Sequence, residues 1–310
     1  MSDNATLSIL NGVTKLSHLG LIQVEGEDAA KFIHGQLTHD FALLGQDWAR
    51  LAAFCNAKGR MQASFIGFRR PDGAILLVCD RDVLVSTLKR LSTFVMRAKV
   101  HLTDASEQFS VYGAAGSAID SGAVRAGSAW AKADIGAASV INLYPADGVA
   151  RQLWVQPNEV TPPAGESISE ALWAWSEVRS GIATITPLVF ESFVPQMLNY
   201  ESVGGVSFKK GCYPGQEVVA RSQFRGTIKR RAFLVHSEVP LAPGVAVFAA
   251  SDPEQPAGMV VQAAAAPQGG FDAIISVQVS AQQEDRLCAG STDGSSLQLL
   301  PLPYPLLDDI

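Results

Sequence analysis

The stretch KGCYPGQEVVARSQFRGTIKRR, Lys210 to Arg231, decides how the rest of the chain is read. It places one cysteine, Cys212, among Lys209, Lys210, Gly211, Tyr213, Pro214 and Gly215. From Lys209 to Arg231 there are seven Lys or Arg and one Glu, in a protein whose formal net charge is -6. A local positive field favours thiolate over thiol, and thiolate is the form that attacks electrophiles and binds metals. Pro214 suits the first turn of a helix, because its φ is fixed and that position needs no N–H. Gly226 suits the left-handed position that closes one. In the helix so predicted, Val218, Val219 and Ser222 turn inward, and Glu217, Arg221 and Arg225 recur every four residues on one face. Cys212 then lies just ahead of a helix N-terminus, whose backbone N–H groups and dipole favour negative charge. The expectation is a thiol with a lowered pKa. The competing reading is a small buried hydrophobe beside a solvated charged face.

Working outward, 310 residues suit two or three domains. Hydrophobic content of 47% supports sizeable cores, and charged content of 17% excludes a disordered chain. No apolar run reaches eighteen residues, so no transmembrane helix is expected. The N-terminus MSDNATLSIL has neither signal-peptide nor transit-peptide character, and a cytoplasmic location is expected. Cys55, Cys79, Cys212 and Cys288 are scattered, with no CxxC pair and no Cys/His spacing of a metal site, so no metal ligands are assigned. There is no GxGxxG, no Walker A motif and no support for a Ser-His-Asp site.

The segment GEDAAKFIHGQLTHDFALL reads as a helix beginning at Gly26–Asp28, with Ala29, Phe32, Ile33 and Leu37 at helical spacing. His34 and His39 on it read as hydrogen-bonded surface residues. Leu51–Phe68 reads as two strands around a turn at Ala57–Gly59, and PDG at Pro71–Gly73 is a further turn. AILLVC is a buried strand, RDVLVSTLKRLSTFVMRA an amphipathic helix and KVHLTDAS a returning strand. ISEALWAWSEVRSGI reads as a helix capped near Ser167. Trp173 and Trp175, two apart, cannot share its face, so either both pack or one lines a cleft fit for a flat ring. From Ala232 onward, AFLVHSEVP, GVAVFAA, GMVVQAA and FDAIISVQVS are short β segments divided by Pro/Gly turns, the pattern of a small antiparallel barrel or sandwich. The tail PLPYPLLDDI cannot be helical and is expected to lie extended over a neighbour.

The motif KGCYPGQEVVAR, with GGVSFKKGCY ahead of it, resembles the signature of the YgfZ family, folate-binding proteins related to the T-protein (aminomethyltransferase) of the glycine cleavage system. FIHGQLTHD at Phe32–Asp40 resembles that family's Gly-Gln-x-Thr-x-Asp segment. FCNAKGRMQASF at Phe54–Phe65 resembles its Ala-Lys-Gly-Lys/Arg-Met segment, and PQMLNYES fits the stretch before the cysteine. The resemblance covers most of the chain and is weakest in the last fifty or so residues. It implies an α+β, T-protein-like (GcvT-like) three-domain ring with a C-terminal small β-barrel. The expected domains are 1–50 with 105–231, an inserted unit at 51–104, and the barrel at 232–310. It also implies tetrahydrofolate or a polyglutamylated reduced folate as ligand, and a part in assembly or repair of iron–sulfur clusters, including those of tRNA-thiolating enzymes. Cys212 is then the reactive thiol, with Lys210, Gln216, Glu217 and Arg221 around it. Asn56, Lys58, Arg60, Lys210, Arg221 and Arg225 are the expected folate contacts.

Two departures bear on chemistry. Aminomethyltransferases carry Gly-Gly-Ile-x-Asp-Asp where this chain has Lys58–Ala63, so Gln62 and Ala63 stand at the carboxylate positions, and neither accepts a proton. Arg179 falls where the T-protein has its pterin-gripping Glu, with Glu177 two residues earlier. The chain therefore reads as an accessory protein rather than an aminomethyl transferase, which remains the alternative. The basic stretch attracts either folate carboxylates or RNA phosphate. A pI near 5.4 favours the small polyanion over a broad tRNA surface. Fe–S client enzymes or assembly proteins are the implied protein partners.

Overall fold

The computed structural model describes residues 9–119, 124, 127–224, 228–282 and 286–307. Gly226, the expected helix terminator, and Arg225 lie outside them. Three antiparallel sheets carry the chain. The first contains β1 (Gly12–Lys15), β7 (Phe109–Ala115), β10 (Arg151–Pro157), β9 (Ala138–Asn142) and β8 (Lys132–Ile135), in that spatial order. The second runs β3 (Arg50–Cys55), β4 (Met61–Arg69), β5 (Ile75–Asp80), β2 (Leu19–Glu25) and β6 (His101–Asp104). The third closes as a six-stranded barrel of β11 (Arg230–Ser237), β14 (Phe271–Gln278), β13 (Gly258–Ala265), β12 (Ala246–Ala249), β15 (Leu287–Ala289) and β16 (Ser295–Leu300). Closure leaves this short-stranded sheet without exposed edges.

The second sheet is larger than the insertion expected at 51–104. β2 lies inside it between β5 and β6, with Leu21 opposite Val78 and Val24 opposite Leu102. Ile22 and Val24 share a core with Phe32 and Ile33 of α1 (Ala29–His34) and with Val83, Leu84 and Leu91 of α2 (Arg81–Ser92). Asp80 caps α2 by accepting from Asp82 N–H at 3.0 Å. Residues 19–104 are therefore one sheet-and-helix unit.

The long helix expected after Gly26 is only six residues, Ala29–His34. Asp28 does not cap it; its carboxylate accepts from Lys99 N–H at 2.9 Å. Beyond Gly35 the segment is held by side chains. Thr38 donates to Gly205 O at 2.6 Å and accepts from Ala53 N–H at 2.8 Å, and the Lys210 ammonium takes the carbonyls of His34 and Leu37. A cation at the carbonyl end of a helix meets the negative pole of its dipole.

The helix α3 (Glu170–Arg179) begins at Ser169, two residues later than expected, because the Ser169 hydroxyl accepts from Leu172 N–H at 3.1 Å. The central core joins all three sheets: Leu51 and Met61 from the second, Val111 and Leu153 from the first, Leu234 and Ile274 from the barrel. Asn199, in the left-handed region at φ 57°, fastens the barrel. Its amide donates to Ala232 O at 2.8 Å and accepts from Ala232 N–H at 3.2 Å. The Pro-rich tail is extended over the same region, with Tyr304 Oη donating to Gly181 O at 2.8 Å and Arg231 donating to Leu307 O at 2.9 Å. No helix among the described residues is long and apolar enough to cross a membrane.

His39 gives this fold a pH dependence. Burial, then the nearby Arg50 charge, lowers its pKa from the ordinary 6.5 to about 4, and its neutral Nδ1 accepts from Asp40 N–H at 2.7 Å. The unfolded chain takes up a proton that the folded chain refuses, so stability falls as pH drops from 6.5 toward 4. In His39→Asn, the slope of unfolding free energy against pH across that window should shrink by about one proton, measured by urea denaturation.

Candidate functional site

The Cys212 motif and the Asn56–Arg60 turn meet backbone to backbone. Asn56 shapes the turn, its Oδ1 accepting from Lys58 N–H at 2.9 Å and Arg60 N–H at 3.0 Å. Gly59 and Gly215 both have positive φ, 71° and 80°. A Cβ on Gly215 would lie 2.4 Å from Asn56 O and 2.7 Å from Gly59 N. Only two facing glycines permit this approach. It seats the start of α4 (Gln216–Phe224) on the β3–β4 turn, with Val219 and Gln223 buried. Val218 and Ser222, expected inward, are half-buried, while Gln223 takes the inward place and Gln196 Nε2 donates to Val219 O at 2.7 Å.

Cys212 is exposed, four residues before α4. Glu217 and Arg221 are exposed together on one face, next to Phe224, whose ring meets Phe208 edge-on at 5.2 Å. Gln216 is half-buried and its N–H donates to Tyr213 O at 3.2 Å. Lys210 points the other way. It is 8% exposed, holds the two carbonyls at the end of α1, and lies 4.5 Å from the centre of the Tyr213 ring. Burial lowers its pKa to about 8. Arg231 is likewise buried, paired with Glu201 at 2.6 Å. Among its described residues the basic stretch presents Lys209, Arg221 and Lys229 to solvent and buries Lys210 and Arg231. His34 is half-buried, hydrogen-bonds Asp40 at 3.0 Å, in keeping with its reading as a hydrogen-bonded residue, and faces Gly211, next to the cysteine.

A cavity of 70 Å³ lies where the first and second sheets, α3 and the segment after it converge. Its walls include Leu51, Ser64, Tyr144, Arg151, Trp173 and Glu177. Past Leu143, Tyr144 and Arg151, which line both, it adjoins an outer cleft of 510 Å³. Trp173 is fully buried, set against Gly113, where a Cβ would come within 2.5 Å of the indole. Its Nε1 donates to Glu177 Oε1 at 3.0 Å. The Arg151 guanidinium lies 4.6 Å from the centre of the Trp173 ring and donates to Ser176 O at 2.7 Å, leaving Nε buried without a partner. Burial lowers the Arg151 pKa to about 10. Trp175 also packs, donating to Asp272 at 2.7 Å. The cavity walls include none of Asn56, Lys58, Arg60, Lys210, Cys212, Gln216, Glu217 and Arg221. Arg60 instead donates to Ser192 O, and Lys58 is exposed at the turn. Arg151 was not singled out from sequence; the available signal was a cation on the same inward face of its strand as Leu153 and Val155. Arg179, at the position of the pterin-gripping Glu, pairs with Asp147 and Asp272.

No protein-family model matches the chain. The glycine cleavage system aminomethyltransferase T from Bartonella henselae shares its fold, with a TM-score of 0.65 at 15% identity, covering 98% of this chain and 88% of that one. The architecture is thus T-protein-like, with the closed barrel at its C-terminal end. The chain is 31% identical to tRNA-modifying protein YgfZ of Enterobacter sp. (strain 638), over 94% of its own length and 92% of that protein's. It belongs to the YgfZ family.

The glycine contact generates a test. Gly215→Ala forces a Cβ into Asn56 O at a residue with φ of 80°, and should cost on the order of 3 kcal/mol in thermal or urea unfolding. Lys209→Ala, at an exposed position, should change stability by less than about 0.5 kcal/mol.

Proposed function

We propose that this protein binds a reduced folate in the central cavity and serves, through Cys212, the assembly or repair of iron–sulfur clusters in client enzymes, including those that modify tRNA. The observation that carries the reading is the pairing of Arg151 and Glu177 on one cavity wall. A pterin edge presents a carbonyl oxygen beside N–H and amino donors. The unpartnered Arg151 Nε–H matches the oxygen, and the Glu177 carboxylate matches the donors. Tyr144 and Leu143, shared by the inner cavity and the outer cleft, mark the route for the rest of the ligand. Asn56, Lys58 and Arg60 then serve the cysteine loop by shaping the turn on which Gly215 rests, and Lys210 positions that loop against α1. Cys212 with Arg221, Glu217 and Phe224 forms the outward face offered to a protein partner.

Aminomethyl transfer has less support. Gln62, at the acid position, donates its amide to Glu191 at 2.6 Å and has no titratable proton of its own. The relative's name connects the family to tRNA modification. The formal net charge of -6 and the burial of Lys210 and Arg231 favour a client enzyme as the link to tRNA over direct tRNA binding.

Anaerobic calorimetric titration with tetrahydrofolate should give saturable binding that weakens about tenfold or more in Glu177→Gln, the loss of a charge-assisted hydrogen bond. Cys212→Ser should bind folate as the wild type does, yet fail to restore Fe–S enzyme activity in cells lacking the protein. Absence of saturable binding, or full rescue by Cys212→Ser, overturns the corresponding half of the reading.

A further inference from the structure

A second cleft, of 450 Å³, opens between α2 and the segment at Phe190–Glu191, and neither the folate reading nor the cysteine uses it. Its walls are Phe54, Gln62, Ser86, Thr87, Lys89, Arg90, Thr93, Phe190 and Glu191, and four features of them call for a ligand. Gln62 is 4% exposed and its Oε1 has no partner, while its Nε2 is fixed on Glu191 Oε1 at 2.6 Å, so the amide cannot flip to relieve the oxygen. Thr87 is 3% exposed and its hydroxyl also has no partner. A helical threonine ordinarily bonds back to the preceding turn. Two sealed polar atoms in one cleft are a cost that a bound group would remove. Third, Glu191 adopts φ 55°, a left-handed conformation costly for a non-glycine residue, and its N–H donates to Met61 O at 2.9 Å. Strained residues held this firmly cluster at ligand sites. Fourth, Lys89 and Arg90 are exposed at the cleft and form no ion pair among the described residues.

We infer that this cleft binds an acidic amino acid. The Gln62 oxygen lacks a hydrogen-bond donor and the exposed Glu191 carboxylate beside it carries negative charge, and an ammonium answers both. Lys89 and Arg90 require carboxylates, which Arg takes in bidentate form. Two cations and one carboxylate leave the cleft one positive charge, and a ligand with one ammonium and two carboxylates neutralises it. Phe54 and Phe190 furnish the apolar wall for the methylene groups between them.

Calorimetry on the full chain with L-glutamate as probe tests the assignment. Saturable one-to-one binding is expected. Glutarate, which lacks the ammonium, should bind about tenfold or more weakly, the scale of one charge-assisted hydrogen bond. Thr87→Val, which keeps the shape and removes the unpartnered hydroxyl, should weaken L-glutamate at least fivefold, on the scale of one hydrogen bond, without lowering the melting temperature. Gln62→Leu should weaken it as well. Tetrahydrofolate binding should be unchanged in Thr87→Val, which keeps this site distinct from the central cavity. No saturable heat up to about 10 mM L-glutamate, an affinity too weak for a specific site, overturns the inference. So does glutarate binding as well as glutamate, or a Thr87→Val protein that binds as the wild type does.

Discussion

The contact between Gly59 and Gly215 is the constraint on which the cysteine loop depends. Two chain segments more than 150 positions apart approach until one backbone rests on the other, and any side chain at either position would hold them apart. Through it, the turn between β3 and β4 becomes a seat for α4, and the thiol ahead of α4 acquires a fixed place on the surface. Lys210 secures the other end of the same loop. The Lys210 ammonium, two residues before the cysteine, interacts with its charge and also holds the carbonyls of His34, the last residue of α1, and Leu37.

This arrangement separates two tasks that the sequence motif appeared to combine. The central cavity lies among Trp173, Glu177, Arg151 and Tyr144, deep between the sheets. The cysteine stands outside it, exposed, four residues before α4. The cavity and the cysteine loop share the second sheet: β4 contributes Ser64 and Ile66 to the cavity wall, and the turn leading into it carries Gly59.

What could be read from the residues follows the range of the interactions. The turn after Asn56, the strands on either side of it, the body of α2 and the succession of barrel strands rest on neighbours in sequence, and pattern reveals them, although α2 stops at Ser92, short of the Ala98 that its apolar pattern reaches. The motif around Cys212 carried the family and, with it, the T-protein-like architecture. The place of β2 inside the second sheet was hidden, because its partner β5 lies some fifty residues on. The early end of α1 was hidden too, since the groups that replace its hydrogen bonds come from Ala53, Gly205 and Lys210. Arg151 belongs to a strand with no motif, and its role emerges only when α3 lays Trp173 against it. The left-handed backbone of Glu191 has no signature in side-chain type.

The extended C-terminal segment imposes an order on how the molecule is made. Tyr304 bonds to Gly181 beside the central cavity, and Leu307 is held both by Arg231 at the base of the barrel and by the Ser202 hydroxyl. The first and second sheets can form while synthesis is still under way, but the joint between them and the barrel is latched only when residues as far as 307 have emerged. The tail is a strap drawn across that junction and adds no strand of its own.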